Sequence, residues 1–183
     1  MSRSTTVQPL VAFLRAINVG GHTVTMARLR ELVGELGYAD VATFIASGNL
    51  IVTTDRTPRQ VEKDVASGLE KALGYAVETY VRTPVELSAI GEAEPFGTVE
   101  DGHKVQVGFL TAALKADAAR AVEDLSNDYD TLRVDGREIY WHTRGGVSGS
   151  LIKPAVFART LTVPTTMRNV NTIRRLVAKY PPG

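Results

Sequence analysis

A chain of 183 residues, 44% hydrophobic and 22% charged, is long and apolar enough for one or two compact domains with a real core. It has no cysteine, which excludes disulfides and thiolate metal sites, and its three histidines lack metal-motif spacing, so neither a metal nor a cofactor is implied. The net charge of +1 is uneven: seven basic and no acidic residues follow Glu138, against 14 basic and 20 acidic up to that point, so an anionic partner for the C-terminal part and its docking on the acidic remainder both stay open.

The opening MSRSTTVQPLVAFLR carries one early arginine and an apolar run too short for a signal peptide or a membrane span. A soluble cytoplasmic protein without membrane contact is expected. Val7 to Ala16 is rich in apolar residues, as in a strand buried on both faces. Gly20 and Gly21 break it. Thr25 is the N-cap candidate of the next helix, whose Met26, Leu29, Leu32, Val33 and Leu36 form one apolar stripe, and Gly37 stops it. Val41 to Ala46 and Leu50 to Thr53 read as strands around Ser47-Gly48-Asn49. Thr57-Pro58 caps a helix with Val61, Val65, Leu69 and Leu73 at intervals of four, ended by Gly74. Ala76 to Arg82 reads as a strand.

Thr83-Pro84 opens a short helical turn, and residues 91–102 form a glutamate- and glycine-bearing connection. The pattern then recurs. Lys104 to Leu110 is a strand and Ala116 to Leu125 a helix; residues 131–134 and 138–143 form a hairpin around Asp135-Gly136. A helix follows from Pro154 to about Leu161, an extended piece from Val163 to Met167, and a last helix from Val170 to Tyr180. The expected architecture is α+β: two tandem ferredoxin-like (β-α-β-β-α-β) units with antiparallel sheets plus a C-terminal helix. Residues 1–83 form the first half, 84–103 the connecting segment, and 104–183 the second half with its closing helix.

Three stretches, FLRAINVGGHTVTMARLRELVGELGY, FIASGNLIV and TMRNVNTIRRLVA, carry a resemblance. Together they make the chain similar to the domain-of-unknown-function family 1697 (DUF1697), bacterial proteins of about this length. The resemblance runs from Val11 to about Lys179. It implies two linked ferredoxin-like units and brings no established activity or catalytic residue. The family often has tryptophan between the two late asparagines; Val170 holds that place here, which weakens any stacking role for it.

The candidate chemistry sits at element ends. Arg15, Asn18, Gly20, Gly21 and His22 lie between a strand end and a helix start, where backbone N–H groups can hold an anion or glycines can simply supply positive φ. Ser47-Gly48-Asn49 reads as a turn, or with Arg15 and Asn18 as a polar pocket. Arg168 precedes the last helix, where a cation is out of place unless it meets a carboxylate or a phosphate. Asn169 is a good N-cap there. The glycine- and serine-rich 145–150 with Lys153 imitates a phosphate loop but reads as a flexible one. No acid–base pair is visible in the sequence.

The leading expectation is a small-molecule binding protein that takes an anionic, phosphate-type ligand in a pocket built from Arg15, Asn18, Gly20, Gly21, Ser47, Asn49, Arg168 and Asn171. A second is nonspecific nucleic-acid binding through Arg159, Arg168, Arg174, Arg175 and Lys179, which no nucleic-acid motif supports. A third is an enzyme acting on a phosphorylated small molecule.

Overall fold

A computed structural model of the chain describes residues 7–45 and 48–183. The chain divides into two compact units, Met1–Ser88 with Leu176–Gly183 and Ala89–Arg175. Among the described residues they hold two four-stranded antiparallel sheets and six α-helices. None of those helices is long and apolar enough to cross a membrane.

In the first unit the order is β1 (Gln8–Leu14), α1 (Met26–Glu35), β2 (Ala39–Thr43), β3 (Asn49–Thr54), α2 (Pro58–Leu73) and β4 (Thr79–Arg82), with α3 (Pro84–Glu92) after it. The sheet runs β2-β3-β1-β4. β1 is central because its apolar run can be buried on both faces: Leu10 to Phe13 are fully buried. Leu10, Ala12 and Leu14 meet Leu50 and Val52 of β3 and the apolar stripes of α1 (Leu29, Leu32, Val33) and α2 (Val61, Val65, Leu69). Truncating one such side chain costs about 2–5 kcal/mol.

The helix ends follow the sequence signals. Thr25 accepts the Arg28 N–H at 3.1 Å. Thr57 and Gln60 form a reciprocal capping box with Pro58 in the first turn, and Gly74 ends α2 at φ 81°. The strands are shorter than the apolar runs. Ala16 turns to φ 59°, so β1 stops at Leu14. The edge strand β2 is short, mostly exposed and irregular at Asp40 (φ 50°), a form that discourages edge pairing.

The second unit holds β5 (Lys104–Phe109), α4 (Ala116–Glu123), β6 (Asp130–Asp135), β7 (Glu138–Thr143), α5 (Pro154–Leu161) and β8 (Thr166–Asn169). α6 (Val170–Lys179) follows at once, and its last turns from Leu176 belong with the first unit. This sheet runs β6-β7-β5-β8. Leu110, Val122, Leu132, Ile139, Trp141, Ile152, Phe157 and Leu161 form its core. Tyr140 and Trp141 point to opposite faces, and both are buried.

One buried carboxylate organises this unit's loops. Asp130 accepts the Trp141 Nε1–H at 2.9 Å, the Leu151 N–H at 2.8 Å and an Asn127 Nδ2–H at 3.1 Å. Residues 145–150 are therefore held rather than slack: they contain a 3₁₀ turn at Val147–Gly149, and Tyr129 donates its hydroxyl to Gly146 O at 3.0 Å.

Candidate functional site

The polar residues around the first Gly-Gly loop satisfy one another. Arg15 Nη1 donates to Glu78 Oε2 at 3.1 Å, a half-exposed pair worth no more than about 1 kcal/mol. Asn18 Oδ1 accepts the Val24 N–H at 2.7 Å and so closes the loop onto the start of α1. His22 stacks on Tyr75, with ring centroids 3.9 Å apart, and Tyr75 donates its hydroxyl to Ile17 O at 2.9 Å. Gly20 and Gly21 are exposed with φ of 64° and 86°.

Ser47 lies outside the described residues. Asn49 is only 2% exposed and donates Nδ2–H to Phe44 O at 3.1 Å, so its side chain braces the β2–β3 connection. Gly48 accepts the Leu14 N–H at 2.8 Å and adopts φ 74°.

Arg168 and Asn171 belong to the second unit. Arg168 lies on β8 opposite Val107 and donates Nη1–H to Thr166 Oγ1 and Met167 O, each at 2.8 Å. Burial pulls its guanidinium down to about 10, which leaves it charged at neutral pH. Asn169 Oδ1 accepts the Asn171 N–H at 2.9 Å at the head of α6, as a capping residue should. One turn on, Arg174 is fixed by Nε–H to Gly91 O at 2.9 Å and Nη1–H to Asn171 Oδ1 at 3.3 Å.

Two clefts open in this unit, and the segment 93–103 between α3 and β5 lines both. The first, about 500 Å³, has Asn169, Asn171, Arg174 and Lys104 on its wall together with Glu94, Glu100 and Asp101. The second, about 470 Å³, is lined by Glu100, His103, Tyr129, Thr131, His142 and Arg144 among others. Of the described residues among the eight singled out by sequence, Asn171 alone lines either of these two clefts.

The sequence profile described as "Protein of unknown function (DUF1697)" matches residues 7–140, well over half of the chain. The chain belongs to the DUF1697 family. No curated protein matches it. Among solved structures it is similar to the conserved bacterial protein SP0830 from Streptococcus pneumoniae, with 23% identity and a TM-score of 0.72 over 97% of this chain and 100% of that one. At that identity the likeness speaks for the fold alone.

In this DUF1697 protein the family match takes in β1 through the first half of β7, including Glu100 and His103, and stops short of His142, β8 and Arg174. Sequence reading missed the cleft residues for a physical reason. Arg174 looks like any solvated helix cation until Gly91, 83 positions away, supplies its acceptor. His103 and His142 are 39 positions apart and meet through strand pairing: Val105, two residues after His103, lies opposite His142. Of the tail cations, Arg168 is largely buried, and the Lys179 ammonium sits 5.4 Å from the centre of the Phe44 ring. Among the described residues no group of three or more His, Cys, Asp or Glu side chains is arranged to hold a metal ion.

Proposed function

We propose that this DUF1697 protein binds a small, polar molecule with a single anionic group in the first cleft of its second unit, with Arg174 and Asn171 receiving a carboxylate or phosphate. The observation that carries this reading is the state of Arg174. Its Nε and Nη1 are anchored, while Nη2 makes no hydrogen bond to the described residues, so a charged donor is held in place on a cleft wall. Pre-orientation of that kind lowers the entropic cost of binding. Glu94, Glu100 and Asp101 line the same cleft and repel a highly charged anion. A molecule with one carboxylate or phosphate group and with hydroxyl or ammonium donors therefore fits better than a polyphosphate or a nucleic acid. The scaffold is read as ferredoxin-like in both units; the β-α-β-β-α-β order of each and the matching orders β2-β3-β1-β4 and β6-β7-β5-β8 support this.

Thermal-shift and calorimetric titrations with inorganic phosphate, glycolate, a sugar monophosphate and ATP test the proposal, since a ligand of the native state must raise the melting temperature. Arg174→Ala is expected to weaken binding of the ligands with one anionic group at least about tenfold, the loss of one charge-assisted hydrogen bond. Unchanged affinity in that variant, or ATP binding more tightly than the monophosphate, would refute it.

A further inference from the structure

The second cleft holds a proton-transfer arrangement. His103 Nδ1 and His142 Nε2 are 3.0 Å apart with the rings tilted at 48°, a hydrogen bond that takes its proton from one ring. The third group decides which. Glu100 Oε2 lies 3.6 Å from His103 Nε2, and a carboxylate favours a protonated nitrogen over a lone pair facing it. His103 thus carries its proton on Nε2 and accepts at Nδ1. His142 is then the donor through Nε2–H, and its Nδ1 bears the lone pair.

The surroundings keep that lone pair in place at neutral pH. Burial first, then the charges of His103 and Arg144, hold His142 below the ordinary histidine value, with Glu100 acting the other way. Around it β5 places Val105 opposite, β6 places Thr131, and the segment 93–103 brings Phe96 to 5.4 Å, while Asp128 lines the same cleft. Arg144, two residues along from His142 and lining the same cleft, adds a cation.

We propose that Glu100, His103 and His142 form a relay that presents His142 Nδ1 as a general base to the second cleft. The ligand bears an anionic group, which Arg144 receives, and a hydroxyl or ammonium group, which His142 deprotonates. The ligand's O–H or N–H bond breaks, its electron pair stays on the ligand atom, and the proton bonds to Nδ1. As Nδ1 gains it, the Nε2 proton can pass to His103 Nδ1, which moves the positive charge next to Glu100. His142 is the base and His103 the positioning residue. The proposal concerns a different cleft from the Arg174 reading and stands if that reading fails.

Long-range proton–nitrogen spectra of the imidazoles in the full chain, recorded between about pH 5 and 8 with and without inorganic phosphate, test it. His142 is expected in the Nε2–H form, titrating below an ordinary histidine. His103→Gln should move that titration upward, because two adjacent imidazoles then no longer compete to carry one positive charge. Phosphate should also raise it, by stabilising the imidazolium, in the wild type but not in Arg144→Gln. Reactivity is read with p-nitrophenyl acetate in a His22→Gln background: Nδ1 attacks the acetyl carbonyl, p-nitrophenolate leaves, and water hydrolyses the acetyl-imidazole. His142→Gln should lower that rate at least about fivefold. An Nδ1–H tautomer, a titration indifferent to His103→Gln, a phosphate shift that survives Arg144→Gln, or an unchanged ester rate would each overturn the proposal. The tautomer measurement needs only the wild type, so a variant that fails to fold does not shield the idea.

Discussion

Replacing Asp130 with alanine should cost about 3–5 kcal/mol, most of it from groups the substitution leaves behind. The residue is fully buried at the start of β6, and its carboxylate serves the Trp141 indole, the Leu151 amide and the Asn127 amide, with Ser150 as a further donor. Trp141 is only 6% exposed, so its N–H cannot turn to water and contributes about 1–3 kcal/mol as an orphan donor. Leu151 and Asn127 are exposed residues, so water replaces the carboxylate there and each loss falls to about 1 kcal/mol. For a chain of this size the melting temperature should drop by roughly 6–20 °C. Trp141 is the single tryptophan, so its emission reports this unit directly. Burial alone would raise the Asp130 pKa; the hydrogen bonds from Ser150, Trp141, Leu151 and Asn127 outweigh it and hold the group below its usual value. Its stabilisation is therefore present above the unfolded-state value and is lost as pH falls through the lower folded-state value. Alanine should remove that acid-side loss. A stability change under about 1 kcal/mol, or wild-type emission in the variant, would refute the reasoning.

Three further substitutions probe backbone and cap. Gly48→Ala combines φ 74° with a Cβ placed 3.0 Å from Leu14 Cβ and 3.2 Å from Leu14 O, so chemical denaturation should show a loss of about 2–4 kcal/mol. Gly149→Ala drives a methyl into the Tyr129 hydroxyl and to 2.8 Å from its Cζ; the same assay should show about 1–3 kcal/mol, relieved only in part when Tyr129→Phe is combined with it, since Cζ remains. Thr57→Ala breaks the capping box of α2 and should cost about 1 kcal/mol in a thermal melt.

Local signals carried most of the fold. α2 was legible from Thr57 to Gly74 because cap, proline, apolar spacing and terminal glycine all agree, and its bounds are Pro58–Leu73. Where an element's burial comes from partners far along the chain, the reading slipped. The last strand was expected over Val163–Met167 but is Thr166–Asn169, because its polar side chains gave no strand pattern and its position depends on pairing with β5. The short turn at Thr83-Pro84 is a nine-residue helix. Asp130 reads as an ordinary residue ahead of a hairpin; its importance comes from Trp141, Leu151 and Asn127 meeting only after β6 and β7 pair.

The same reasoning explains why the two clefts were not legible in the sequence. Sequence reading looked for chemistry in glycine-rich loops, since glycine permits a backbone cradle. In the structure those glycines are used otherwise: Gly48 fits where a Cβ would strike Leu14, and Gly149 where one would strike Tyr129. Both clefts instead border the connection from α3 to β5, which reads in sequence as a mere boundary between halves. β1 and β5 occupy equivalent central places in their sheets. β5 is entered through residues 93–103, and these contribute side chains to both clefts. Loop segments that break an otherwise regular scaffold are where binding groups concentrate. Chemistry in this protein should therefore respond to substitutions at Glu100, His103 and Arg174 and be indifferent to Gly20 and Gly21, so parallel ligand titrations of His103→Gln and Gly21→Ala separate the two placements. Loss of binding in Gly21→Ala alone would return the site to the first loop.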